Sequence, residues 1–128
     1  MSKSPQKVTP LLWFDNQAEE AVKFYTSVFR NSKVEALVRH GEAGPKGSVM
    51  TVAFQLAGQQ FVALNGGPHF KFTEAISFVV NCETQEELDE LRPKLSEGGA
   101  KVECGWIKGR YGVHIRVILK TYGETGFA

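Results

Sequence analysis

The residues able to do chemistry in this 128-residue chain are few and scattered. Nucleophilic catalysis would draw on Cys82 or Cys104, with His40, His69 or His114 as the base. A reactive thiol needs an electropositive setting that favours its thiolate, whereas Cys104 sits between acidic Glu103 and Gly105-Trp106. Buried, inert cysteine is the better reading of both, since unpaired Cys is among the most buried residue types. A second group, Asn65, His69, Phe70, Glu74 and Trp106, has the make-up of a small-molecule site. There Asn65 and Glu74 would be polar anchors, with Phe70 and Trp106, and equally Trp13, as aromatic walls. The competing reading makes Asn65-Gly66-Gly67-Pro68 a turn, the aromatics core packing and Glu74 a solvated charge. The pairs Glu19-Glu20 and Glu86-Glu87 belong to the first turns of helices, where the dipole favours acids, and are not catalytic carboxylates.

The elements that must position these groups follow from periodicity. Val8 to Phe14 is bulky and apolar enough for a strand. Asp15-Asn16 offers capping oxygens, and Ala18, Ala21, Val22, Tyr25, Val28 and Phe29 then mark one face of a helix ended by Asn31-Ser32. Val34 to Arg39 reads as a strand, His40 to Gly47 as a loop. Val49 to Leu56 and Gln60 to Leu64 form a hairpin about the Ala57-Gly58-Gln59 turn. Ala75 to Val80 opens the pattern again. Thr84-Gln85-Glu86-Glu87 is a capping box, Leu88, Leu91 and Leu95 a helical stripe, and Gly98-Gly99 a stop signal. Pro93 should kink that helix, because its ring clashes with the preceding turn. Ala100 to Ile107 and Val113 to Leu119 are the last strands. The order therefore repeats. Asn16-Gln-Ala-Glu-Glu and Glu83-Thr-Gln-Glu-Glu hold the same place in each half, and Phe24 and Val28 match Leu91 and Leu95. A period this long points to duplicated half-domains, not a solenoid.

Composition limits the rest. Hydrophobic residues at 42% and charged residues at 23% suit one globular domain over residues 8–128, with modules at about 8–65 and 74–119 and a disordered tail at 1–7. With 15 basic against 14 acidic residues and no basic stripe, nucleic acid is a poor partner. No apolar run approaches the roughly 20 residues of a membrane span. Two cysteines do not make a disulfide scaffold, so a reduced, cytoplasmic setting is expected.

Several strings resemble a known family. They are Leu12-Trp-Phe-Asp-Asn-Gln-Ala-Glu-Glu-Ala with Phe24-Tyr25, Gly44-Pro-Lys-Gly-Ser-Val-Met-Thr-Val, Leu64-Asn-Gly-Gly-Pro-His-Phe-Lys-Phe-Thr-Glu-Ala-Ile-Ser, and Cys104-Gly-Trp. Over residues 8–112 the chain is similar to the PhnB-like proteins, often described as similar to 3-demethylubiquinone 3-methyltransferases. The resemblance implies the glyoxalase, or vicinal-oxygen-chelate, fold: an α+β architecture of paired βαβββ modules whose mixed sheet curls into a cup around a ligand. It also implies a homodimer, since relatives often pair chains along open sheet edges. After Tyr111-Gly112 the family usually continues with serine, tryptophan and glutamine, where this chain has Val113-His114-Ile115-Arg116, and Gly109 replaces a common aspartate.

Glyoxalase relatives hold one divalent ion with His and Glu side chains from four strands. The resemblance places those positions near Val8, near Ala63 or Asn65, at Glu74 and at Arg116, with His114 read as facing away from the last. One plausible ligand beside a permanent cation does not make a site, so no metal and no cofactor is expected. Methyl transfer needs S-adenosylmethionine, usually held at a glycine-rich turn after a first strand, yet Asp15-Asn16-Gln17 contains no glycine. The expected function is small-molecule binding without an established reaction. The alternatives are a 3-demethylubiquinone 3-methyltransferase-like enzyme or a metal-dependent glyoxalase or dioxygenase.

Overall fold

The computed structural model of the chain describes residues 6–39, 49–101 and 106–119. These fall into two compact units, Met1–Lys71 and Phe72–Ala128. The first contains β1 (Leu11–Phe14), α1 (Ala18–Val28), β2 (Lys33–Arg39), β3 (Val49–Leu56) and β4 (Gln59–Asn65). The second contains β5 (Phe78–Cys82), α2 (Gln85–Ser96), β6 (Ala100–Lys101), β7 (Trp106–Lys108) and β8 (His114–Leu119). Strand order is β1-β4-β3-β2 in one sheet and β5-β8-β7-β6 in the other. In both, the first strand lies parallel to the last, and the remaining neighbours are antiparallel. The expected duplication is therefore present as two βαβββ modules, and the class is α+β with two mixed sheets.

Each module buries one sheet face under its helix. In the first, Leu12, Phe14, Val52, Phe54, Phe61 and Ala63 are buried along with Ala18, Ala21, Val22 and Tyr25 of α1. Phe54 and Phe61 stack across the β3–β4 pair with ring centroids 5.4 Å apart. In the second, Leu88, Leu91 and Leu95 bury with Cys82, Ile107, Ile115 and Val117. Each such large side chain contributes about 1.5–3 kcal/mol when removed from water. Alternation then sends the neighbours of these residues to the opposite sheet face. No helix among the described residues is long and apolar enough to cross a membrane.

The helix starts differ in chemistry. Thr84 caps α2 as the sequence leads one to expect: its hydroxyl accepts the Glu87 N–H at 3.1 Å, and the Glu87 carboxylate accepts the Glu83 N–H at 2.9 Å. In α1 neither Asp15 nor Asn16 caps. Gln17 holds the cap position without a side-chain bond, and Asn65 at the end of β4 accepts the Ala18 N–H at 2.8 Å. The cap comes from across the sheet, which no local motif announces.

Other boundaries moved. The first strand begins at Leu11, leaving Val8 79% exposed. The strand expected over Ala75–Val80 is β5 at Phe78–Cys82; Ala75 and Ile76 lie in a turn, with Ile76 exposed. Ala100–Ile107 is not one strand. Ala100 pairs with Lys108 and Lys101 with Ile107, so the chain doubles back and supplies β6 and β7. Phe24 and Val28 are half-buried, unlike their counterparts Leu91 and Leu95. Of the expected tail, Gln6 is docked: its amide donates to the Gln60 carbonyl and accepts the Gln60 N–H, both at 3.1 Å. The loop expected over His40–Gly47 lies outside the described residues.

Helix α2 continues through Pro93 to Ser96. Pro93 supplies no N–H to the preceding turn, and its exposed ring gains no burial in return. Pro93→Ala is expected to raise stability by about 1–2 kcal/mol, short of the full interior penalty because the helix ends three residues later. Urea unfolding reads this as a higher midpoint at unchanged slope; an unmoved midpoint means the ring is accommodated without cost.

Candidate functional site

The sequence-predicted site residues separate into three settings. Trp13 and Phe70 meet edge to face, with centroids 4.9 Å apart at 80°. The Trp13 indole N–H donates to the Gly67 carbonyl at 2.9 Å, and Gly66 lies against the indole so closely that a side chain there would overlap the ring. His69 lies beside Gly67, exposed, and Phe70 is 65% exposed. Asn65, expected as a polar anchor, belongs to the helix side instead. Besides capping α1, its amide donates to the Val49 carbonyl at 3.0 Å, so both ends of the side chain hold backbone.

Glu74 is not on a strand but in the turn before β5, 87% exposed on its side chain, with a carboxylate oxygen 3.8 Å from His114 Nε2. His114 is 6% exposed, and its Nδ1 finds no hydrogen-bond partner among the described residues. Leaving a buried nitrogen unbonded costs about 1–3 kcal/mol. Trp106 begins β7. Its indole N–H donates to Ser77 Oγ at 3.0 Å, which fixes the ring. The Arg116 guanidinium lies over that ring, 4.6 Å from the centroid, within cation–π range.

The register explains this arrangement. Trp106 pairs with Arg116, Ile107 with Ile115 and Lys108 with His114. Ile107, Ile115 and Val117 are buried with the helix stripe, so Trp106, Lys108, His114 and Arg116 share the other face. His114 and Arg116, two residues apart, stand on the same side of β8, which corrects the expectation that His114 faces away. Among the described residues Arg116 makes no hydrogen bond or ion pair.

The duplicated module provides an internal control. The strand-end pairs Phe14–Asn65 and Cys82–Leu119 align the two sheets. On that alignment Arg116 corresponds to Val62, Trp106 to Ala53, and the pair Lys108–His114 to Gln55–Gln60. One copy of the fold closes with alanine and valine at the very pair that carries tryptophan and arginine in the other. The fold does not require them.

The thiol of Cys82 is pushed up to about 11, first by burial, then by the Glu87 carboxylate beside it. Its thiolate share at pH 8 is roughly a hundredfold smaller than that of an ordinary cysteine. Iodoacetamide is therefore expected to leave Cys82 unmodified in the native protein and to label it after urea unfolding; rapid native labelling would contradict the burial. Because the folded value is raised, this thiol's contribution to stability is intact below pH 9.0 and is lost as pH climbs towards 11. Cys104 lies outside the described residues.

The positions assigned to a divalent ion do not suit one. Val8 precedes β1, Asn65 is committed to backbone, and a guanidinium occupies the last position. A permanent cation repels a metal, and among the described residues no three His, Cys, Asp or Glu side chains gather.

Comparison with known proteins places this architecture. The chain is 36% identical to the PhnB protein of Bacillus cereus, with a TM-score of 0.82 over 90% of this chain and all of that one. A glyoxalase/bleomycin resistance protein/dioxygenase domain from Frankia sp. EAN1pec is 16% identical, with a TM-score of 0.58 over 96% of this chain and 98% of that one. A glyoxalase/bleomycin resistance protein from Albidiferax ferrireducens T118 is 13% identical, also at 0.58, over 88% and 97% of the two chains. At these identities the last two show the fold alone. No curated protein matches. The sequence model of the family described as 3-demethylubiquinone-9 3-methyltransferase matches residues 6–118, and with the duplicated βαβββ modules this establishes that the chain belongs to that PhnB-like family of the glyoxalase fold.

Proposed function

We propose that this protein binds a small molecule against the sheet face of its second module that carries Trp106, His114 and Arg116. The observation behind this reading is the pairing of Trp106 with Arg116 where the sister module has Ala53 and Val62. A fixed indole, a cation without a carboxylate partner among the described residues and a buried imidazole with an unmet nitrogen combine apolar area with a few directional groups. Trp13 and Phe70 offer a similar aromatic corner in the first module, with His69 nearby. Thermal denaturation against a small-molecule library tests the reading, since a ligand selective for the native state raises the melting temperature. Stabilising compounds should lose their effect in Trp106→Ala; a library without a single stabilising compound argues against binding.

The family description favours a second reading, methyl transfer. The start of α1, where a cofactor's anionic group could lie, already has its first N–H bonded to Asn65. S-adenosylmethionine is expected to leave the melting temperature unmoved, and a concentration-dependent rise would restore the methyltransferase reading. The same proposal includes a cytoplasmic homodimer: β2 is an edge strand with Val34 and Val38 exposed, an edge that a second copy could cover. Light scattering at micromolar concentration checks it, and a monomer mass removes the dimer.

A further inference from the structure

We infer that the Trp106–Arg116 face takes a small monocarboxylate, with the Arg116 guanidinium as its anchor. The inference rests on reading that face as a binding surface and goes further by naming the charge and shape of the ligand.

A guanidinium over an indole face spends none of its N–H groups on the ring's edge, and its planar fork matches a carboxylate with two parallel bonds. The ring beneath Arg116 is held by Ser77, so the platform is fixed before any ligand arrives. Such pre-organisation lowers the cost of binding. Charge on this face then selects among anions. Arg116 and exposed Lys108 are positive, and the Glu74 carboxylate beside His114 is negative. The balance accommodates one negative charge, whereas a phosphate dianion would meet Glu74 with too little compensation. His114 adds a second unmet group on the same strand, about 6.6 Å from Arg116 along the backbone. A hydrogen-bonding substituent of the ligand, or a water entering with it, would satisfy its Nδ1. The sister module, with valine and glutamine at the Arg116 and His114 positions, has neither feature.

The test uses matched pairs differing in charge alone: benzoate against benzamide, and hexanoate against hexanamide, at millimolar concentration and constant ionic strength. Proton–nitrogen NMR of the full chain reads the Arg116 Nε–H and Trp106 Nε1–H resonances. Both should move with the carboxylates and stay with the amides. Arg116→Gln should weaken carboxylate binding roughly tenfold or more, and Arg116→Lys should recover part of it as a point charge without the fork. If Arg116→Gln fails to fold, judged by its melting curve, the wild-type resonances and Arg116→Lys carry the decision. Amides that bind as well as acids overturn the carboxylate inference while leaving small-molecule binding intact. Acids that move neither resonance overturn it as well. A library hit that shifts resonances of the first module alone moves the binding surface elsewhere and defeats both readings of this face.

Discussion

Replacing Gly99 with alanine is expected to lower stability by about 3 kcal/mol, at the upper end of what overpacking costs. A Cβ at this position would overlap the Lys108 carbonyl oxygen and lie 2.8 Å from the Gly109 carbonyl carbon. Both obstacles are backbone, so no rotamer change relieves the overlap. The strand pair must part, and Ala100–Lys108 and Lys101–Ile107 are the pairings that give way. Because β7 carries Trp106, the damage reaches the proposed site. Urea unfolding should show the lower midpoint, and hydrogen exchange should show early loss of protection at Trp106–Lys108. An unfolding free energy within about 0.5 kcal/mol of wild type would mean that β6 and β7 do not approach each other as described.

Asn65→Ala is expected to cost about 2–3 kcal/mol. Loss of a helix cap accounts for about 1 kcal/mol, and loss of the bond to the Val49 carbonyl for a similar amount, with some addition from leaving two backbone groups unpaired. Asn65→Asp separates the parts. It retains an acceptor for the Ala18 N–H and places a negative charge at the helix N-terminus, which the dipole favours, but has no donor for Val49. Its stability should fall between wild type and alanine. If aspartate and alanine unfold at the same denaturant concentration, the cap contributes nothing. A residue expected to touch a ligand would leave apo stability almost unchanged on removal, so this series also distinguishes the anchor role from the structural one.

Much of the architecture was legible before any coordinates. The two helical stripes, the hairpin of β3 and β4, the capping box at Thr84 and the alternation of Ile115 and Val117 are local patterns, and local patterns survive into the fold. The repeat was legible too, since Asn16-Gln-Ala-Glu-Glu and Glu83-Thr-Gln-Glu-Glu open the two helices in turn. Trp106 stood out as a site candidate by type alone. Its partner Arg116 is legible as a cation that excludes metal, whereas the expectation that His114 faces away runs against the two-residue period of a strand, which puts both on one face.

What the sequence by itself determined was most of the elements and their duplication, because apolar stripes, turns and the Thr84 capping box depend on residues within a few positions of one another. The tertiary structure decided what joins across distance. It carried the cap of α1 from Asn65, 47 residues away from Ala18, and folded Ala100–Ile107 into two strands where alternation reads continuously. It also set Arg116 over Trp106 through a strand register. Hydrogen-bonding partners and cross-strand neighbours are chosen by the pairing of whole strands, and no periodicity within one strand records which partner it will meet.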